Sequence, residues 1–193
     1  MAAWPGASGL AATPELVGRR DELAVLAELV DRGSVAGGAL LLHGDPGIGK
    51  SALLAATARR ASTGGRRVLA TVGVQPEAEL PFAGLHQVLT PVWASARQLP
   101  APQRDALRTA FGLLDGPPPE PFLVALAAAN LLAAVAADGP VVVLADDVQW
   151  LDPPSQEALT FLARHAAGRP IVVVGAVRSG HPCPVRSAGL AEL

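Results

Sequence analysis

Two hydrophobic patterns alternate along this chain. One is helical: Leu23, Leu26, Ala27 and Val30 recur at i, i+3, i+4 and i+7 and predict an amphipathic helix over residues 20–31, ended by Gly33 and Gly37-Gly38. The other is a short, unbroken apolar run between turn residues, the pattern of a parallel strand covered on both faces. Four such runs occur, at residues 39–43, 67–72, 141–145 and 171–177. A helix over about 49–61 follows the first run. Between the second and third runs lie three helix candidates, 82–93, 103–114 and 122–137, with proline-rich joints at 100–102 and 117–119. After the third run, Asp152 is placed to cap a helix with Pro153 in its first turn and Leu159, Leu162 and Ala166 as its buried stripe. No element is predicted beyond Gly180, and no internal repeat is present. Strands alternating with helices predict an α/β fold, with residues 72–140 as a helical insertion between the second and third strands.

Length and composition narrow the class. At 193 residues one domain is expected, read as a flexible leader (1–13), a domain (14–180) and a tail (181–193). Residues 122–137 fall short of the roughly 20 apolar residues a bilayer requires and include Asn130, so a buried core helix is expected rather than a membrane span. The first ten residues lack the basic and apolar regions of a signal peptide, and Cys183 is the only cysteine, which leaves no partner for an intramolecular disulfide; a cytoplasmic setting is expected. A net charge of -2 argues against direct nucleic-acid contact by this segment. The basic residues are lopsided, with fourteen Arg and one Lys, Lys50. Where arginine replaces lysine so widely, the lysine that remains is expected where a guanidinium will not serve.

That lysine sits in Gly44-Asp45-Pro46-Gly47-Ile48-Gly49-Lys50-Ser51, which has the G-x-x-x-x-G-K-[ST] spacing between an expected strand and an expected helix. Glycines let main-chain N–H groups turn around phosphate oxygens, Lys50 is expected at the β- and γ-phosphates, and the Ser51 hydroxyl is expected on Mg²⁺. Asp146 closes the third apolar run, where Mg²⁺ is the expected partner of a buried carboxylate. Asp147 is then placed either to orient a water against the γ-phosphate or to cap the following loop. Arg178 ends the fourth run and would point between Lys50 and Asp146 if that strand lies between the first and third. Trp150 is expected to pack that loop rather than stack on a base. GTPases commonly read guanine with Asn-Lys-x-Asp, which a chain whose only lysine is Lys50 and only asparagine Asn130 cannot contain, so ATP is favoured over GTP.

Together these motifs resemble the AAA+-related STAND ATPases. Residues 16–22, Leu-Val-Gly-Arg-Arg-Asp-Glu, look like that group's hhGRxxE motif, and residues 79–87 and 146–152 are similar to signatures of the large ATP-binding LuxR-type transcriptional regulators. The resemblance covers residues 16–180. It implies a P-loop NTPase three-layer sandwich with a parallel sheet, of which strands in the order 1-4-3-2 are expected here and a fifth is missing. It implies ATP/ADP and Mg²⁺ as ligands, an adenine side at Val17, Gly18 and Arg19, metal ligation by Ser51 and Asp146, and catalysis by Lys50, Asp147 and Arg178. The implied role is ATP binding, with slow Mg-dependent hydrolysis, as the switch of a signalling regulator; a nucleotide-responsive module without hydrolysis, a small-molecule kinase and a ligand-free remnant stay open. The group's fifth strand, lid, winged-helix, sensor and helix-turn-helix regions do not follow, so a fragment, or completion by further domains or another subunit, is expected, with the first strand at an open sheet edge.

Overall fold

The four apolar runs form strands because helices cover both of their faces. The computed structural model describes residues 18–181 and 191–193. In chain order its elements are α1 (Arg20–Ala36), β1 (Gly38–Gly44), α2 (Lys50–Thr63), β2 (Arg67–Val72), α3 (Ala83–Leu89), α4 (Ala101–Ala110), α5 (Pro121–Ala136), β3 (Val141–Asp146), α6 (Pro153–Arg164), β4 (Ile171–Arg178) and β5 (Ala191–Glu192). The sheet runs β2-β3-β4-β1-β5, with every pairing parallel. Side chains alternate between two cores. Leu40, Leu42, Val142, Leu144 and Val174 join Leu26, Val30 and Leu54 of α1 and α2. Leu41, Val143, Ala145, Val173 and Val177 join Leu85, Leu131, Leu132 and Leu159 of α3, α5 and α6. Each such side chain contributes about 1.5–3 kcal/mol when fully buried. The strands in the middle of the order, β3 and β4, therefore tolerate almost no polar residue until their last positions, Asp146 and Arg178. Three layers result, and the helical segment between β2 and β3 supplies one of them together with α6.

The sheet order among the first four strands is the expected one, and the expectation of a bare edge at β1 is corrected. Ala191 and Glu192 lie beside Leu40 and Leu41, the His43 N–H donates to the Leu193 carbonyl at 2.9 Å, and the Leu193 N–H donates to the Leu41 carbonyl at 3.0 Å. Several helix boundaries also differ, among them the end of α4, at Ala110 rather than residue 114. α1 continues past Gly33 to Ala36, because at Gly33 the helix lies so close to β4 that a Cβ would meet Val172 Cγ2 at 2.1 Å. The expected helix 82–93 is α-helical only to Leu89 and continues as a 3₁₀ helix, Thr90–Gln98. Pro91 has no N–H to give the carbonyl four residues back, which explains the change. α4 begins earlier than expected, at Ala101, because Pro102 falls in the first turn, where its missing N–H costs nothing. The expected leader 1–13 and residue Val17, together with residues 182–190 of the expected tail, lie outside the described residues. Among the described residues no helix is long and apolar enough to cross a membrane.

Candidate functional site

Strand order brings the polar strand ends together. Because β4 lies between β1 and β3, Arg178 is in register with Gly44, the first residue of the glycine-rich loop, and the Ser179 N–H donates to the Gly44 carbonyl at 3.1 Å. The loop then turns through Gly47 (φ 79°) and Gly49 (φ 102°), left-handed conformations that a side chain resists, and delivers Lys50 at the start of α2. No side chain caps this helix, so its first N–H groups stay available to an anion. Lys50 is only 9% exposed. Its Nζ donates to the carbonyls of Gly44 (2.8 Å) and Asp45 (2.9 Å). Burial pulls the Lys50 pKa below its ordinary value, against the opposing charge of Asp147, while Arg178 adds to the lowering.

Lys50 and Ser51 share a cavity of about 330 Å³ with Pro46, Gly47, Gly49, Ala52, Asp147 and Arg178. Asp146 is 6% exposed; burial raises its pKa, and hydrogen bonds from the Ser51 side chain and the Asp147 main chain partly offset that. The Asp147 N–H donates to Asp146 Oδ1 at 2.9 Å, and Asp147 itself takes a left-handed conformation, φ 46° and ψ 47°, which Asp adopts more readily than most residues. The turn swings its carboxylate to β4, where Arg178 Nε and Nη2 donate to Oδ1 and Oδ2 at 2.9 and 3.0 Å. Burial alone would raise the Asp147 pKa, but hydrogen bonds from Arg178 and Gln149 outweigh it and hold the carboxyl below its ordinary value. The Arg178 pKa is raised by the same hydrogen bond.

A magnesium ion fits the donors present. The Ser51 hydroxyl is close enough to Asp146 to act on its carboxyl, and among the described residues no group of three or more His, Cys, Asp or Glu side chains could hold a metal by itself. A hydroxyl and one carboxylate, completed by phosphate oxygens and water, is the donor set that Mg²⁺ takes.

The expected adenine side is arranged differently from the phosphate side. Val17 is outside the described residues, and Gly18 makes a left-handed turn before α1. Arg19 pairs with Glu22 and donates from Nη2 to the Ile48 carbonyl at 2.7 Å, so the Gly-Arg-x-x-Glu motif braces the back of the glycine-rich loop. Beside it is a small cavity of about 50 Å³, lined by Arg19, Glu22, Leu42, His43, Ile48, Lys50, Leu53 and Leu193. Trp150 packs edge-on to His181, ring centroids 5.3 Å apart.

Three contributors were not legible as such. Gln149 donates from Nε2 to Asp147 Oδ1 at 2.8 Å and accepts the Arg178 main-chain N–H at 3.1 Å, tying the two charged residues together. Asp152 caps α6 as expected, by accepting the Ser155 N–H, but it also accepts the N–H groups of Phe82 (2.7 Å) and Gly84 (3.1 Å). It thereby pins the segment 79–87 to the segment 146–152. Gly73 carries the loop below these contacts: a Cβ there would meet the Asp147 carbonyl oxygen at 2.3 Å and the Leu151 nitrogen at 2.8 Å. Gly73→Ala is therefore expected to destabilise the fold by about 1–3 kcal/mol, read as a lower urea midpoint at unchanged slope; an unchanged midpoint would show that the loop yields freely. The sequence signs of these roles were indirect: the segments 79–87 and 146–152 stood out as motifs, and Asp152 as a helix cap, without showing that they bond to each other.

Residues 15–174 match the family model described as AAA ATPase domain. No curated protein matches the chain. Among solved structures, the Aeropyrum pernix ORC2 protein is 19% identical with a TM-score of 0.55, over 94% of this chain and 48% of its own. A Walker-type ATPase of Pyrococcus abyssi is 17% identical (TM-score 0.47; 82% and 44% covered), and Thermotoga maritima RuvB is 22% identical (TM-score 0.42; 89% and 43% covered). At these identities the ORC2 likeness speaks for the fold alone. The chain spans about half the length of that protein.

Proposed function

This chain belongs to the AAA ATPase domain family, and from that premise we propose that it binds Mg-ATP in the 330 Å³ cavity and hydrolyses it slowly, as the nucleotide switch of a larger LuxR-type signalling regulator. The observation that carries the proposal is that Lys50, Ser51, Asp147 and Arg178 line one cavity, with the buried Asp146 beside Ser51. In this reading the loop N–H groups and Lys50 hold the β- and γ-phosphates. Ser51 and Asp146 would hold Mg²⁺, which supplies charge neutralisation between the phosphates. Asp147 orients water in line with the γ-phosphate, and Arg178 stabilises charge on the transferring group. Arg19 keeps the loop in shape from behind, through Ile48. The regulator role is supported by the segments 79–87 and 146–152, which Asp152 joins physically. In such a regulator, ATP and ADP bias domains outside this segment between two arrangements, and this segment makes no direct nucleic-acid contact.

A second reading, a nucleotide-responsive module without turnover, has one observation in its favour: both Asp147 oxygens are already hydrogen-bonded. Single-turnover assays separate the two. Mg-dependent phosphate release is expected from the purified chain, lost on chelation and in Asp147→Asn while ATP binding persists. Binding without any release would favour the passive module. No rise in melting temperature with millimolar ATP or ADP would sink both, since a ligand at about 100 times its Kd contributes about 2.7 kcal/mol.

A further inference from the structure

We infer that Gln87, the last residue of the segment 79–87, is a positioning residue for Asp146: by closing the outer edge of β2 it holds the strand end from which that carboxylate would reach a nucleotide-bound Mg²⁺. This rests on the reading of the 330 Å³ cavity as a Mg-nucleotide site. β2 is the last strand of the sheet, paired with β3 on one side only. Val72 is in register with Asp146, and the Gly73 N–H donates to the Asp146 carbonyl at 2.9 Å. Main-chain groups of successive residues in a strand face opposite sides, so the Val72 N–H points away from β3, to the open edge. Gln87 reaches that edge from α3. Its Oε1 accepts the Val72 N–H at 3.3 Å and the Thr71 hydroxyl at 2.9 Å. Its Nε2 donates to Glu77 Oε2 at 3.2 Å, in the 3₁₀ turn Gln75–Glu77 that follows β2. One carboxamide thus stands where a further strand would pair.

The effect is local to Asp146. β2 and β3 are in register from Arg67 opposite Val141 to Val72 opposite Asp146, and Gln87 acts at the end of that run, on Thr71 and Val72. The pairing of β3 with β4 stops one residue earlier, at Ala145 opposite Gly175, so at Asp146 the strand is held from the β2 side. Thr71 is fully buried, and without Gln87 its hydroxyl and the Val72 N–H lose their acceptor, which favours a β2 end that lifts from β3 towards water. Gly73 would carry its bond to the Asp146 carbonyl with it. Mg²⁺ requires near-ideal octahedral geometry, so a small shift of the strand that bears one ligand weakens the metal. The phosphate grip stands apart from this, because the glycine-rich loop and Lys50 follow β1, which lies beyond β4 from β3.

The test is calorimetric binding of a non-hydrolysable β,γ-imido triphosphate to the whole chain, first in EDTA and then across a range of Mg²⁺ concentrations. Gln87→Ala is expected to raise the Mg²⁺ concentration that half-saturates the metal-dependent gain in affinity by about five- to tenfold, the low end of what losing a ligand's support costs. Affinity in EDTA is expected to stay within about twofold, since the phosphate contacts lie elsewhere. Asn130→Ala, which removes the α5–α4 bond to Gln103 at 3.0 Å, is the stability control and is expected to leave the Mg²⁺ dependence unchanged. If Gln87→Ala does not fold, Gln87→Met, which keeps the bulk and removes the oxygen acceptor, is read in the same way. Combining Gln87→Glu with Glu77→Gln keeps an acceptor for β2 and reverses the second bond, and is expected to bring the Mg²⁺ midpoint back to within about twofold of the parent. An unchanged midpoint in Gln87→Ala or Gln87→Met would overturn the inference, as would an equal rise in Asn130→Ala or an equal loss of affinity in EDTA. A parent chain that binds no nucleotide, or binds it without response to Mg²⁺, removes the Mg-nucleotide reading itself, whereas a parent that responds and a Gln87→Ala variant that matches it remove only the role of Gln87.

Discussion

Asp152→Ala is expected to lower the melting temperature by about 10 °C, a larger stability effect than any surface substitution in this chain should have. Asp152 is 1% exposed and accepts three main-chain N–H groups, from Ser155, Phe82 and Gly84. The Ser155 bond is an N-cap, worth about 1 kcal/mol. The other two satisfy the start of α3, where Phe82 holds a left-handed φ of 64° and offers no side-chain cap. Removing the carboxylate leaves those two N–H groups buried and unpaired, at about 1–3 kcal/mol each. A total of about 3–7 kcal/mol follows, and at about 2–4 °C per kcal/mol for a chain of this size the shift is of order 10 °C or more. Ser155 makes a parallel contact, its Oγ accepting the Leu85 N–H at 2.8 Å, so Ser155→Ala is expected to reproduce part of the loss. Calorimetric unfolding checks both. A loss below about 1 kcal/mol for Asp152→Ala would mean that α3 finds other partners and that the two segments are not held by this carboxylate.

The same residue shows what could and could not be read from the chain. The strands were legible because runs such as Val141-Val142-Val143-Leu144 admit no other solution once both faces are covered, and their polar ends marked the site. The glycine-rich loop was legible because its spacing is a mechanical requirement of wrapping backbone around phosphate. Asp152 was legible as a cap, a contact to Ser155 three positions on, but its bonds to Phe82 and Gly84 span 70 and 68 positions and depend on how α3 meets α6. Arg178 was expected beside Lys50 and Asp146 on condition that β4 falls between β1 and β3, and the strand order meets that condition. Its partner was not foreseen, because the pairing needs the left-handed turn at Asp147 that aims the carboxylate sideways to β4. Helix boundaries failed for a local reason at Pro91 and for a packing reason at Gly33, where contact with Val172 overrides the helix-stopping tendency of glycine. The edge beside β1 could not be read at all, since Ala191-Glu192 is too short to show a strand pattern.

Lys50→Arg is expected to weaken ATP binding by about ten- to a hundredfold while leaving the melting temperature of the nucleotide-free chain within a few degrees, a separation that a generic charge requirement would not produce. The Lys50 ammonium sits between the Gly44 and Asp45 carbonyls at 2.8 and 2.9 Å. Two of its three protons point at those oxygens, and the third is free for the cavity that it shares with Ser51 and Arg178. A guanidinium carries the same charge as a flat fork and cannot offer three donors radiating from a single compact nitrogen. At 9% exposure there is little room for it to slide outward and keep both carbonyl contacts. The loss of about 1.5–3 kcal/mol attached to misplaced charge-assisted hydrogen bonds corresponds to that range of affinity. Every other basic position among the fourteen Arg and one Lys of this chain is already arginine, so the substitution asks directly whether the exception is mechanical. Titration calorimetry with Mg-ATP gives the answer, and Lys50→Ala sets the floor. If Lys50→Arg binds as tightly as the parent, the site reads charge rather than shape, and the compact ammonium is not what holds the phosphate.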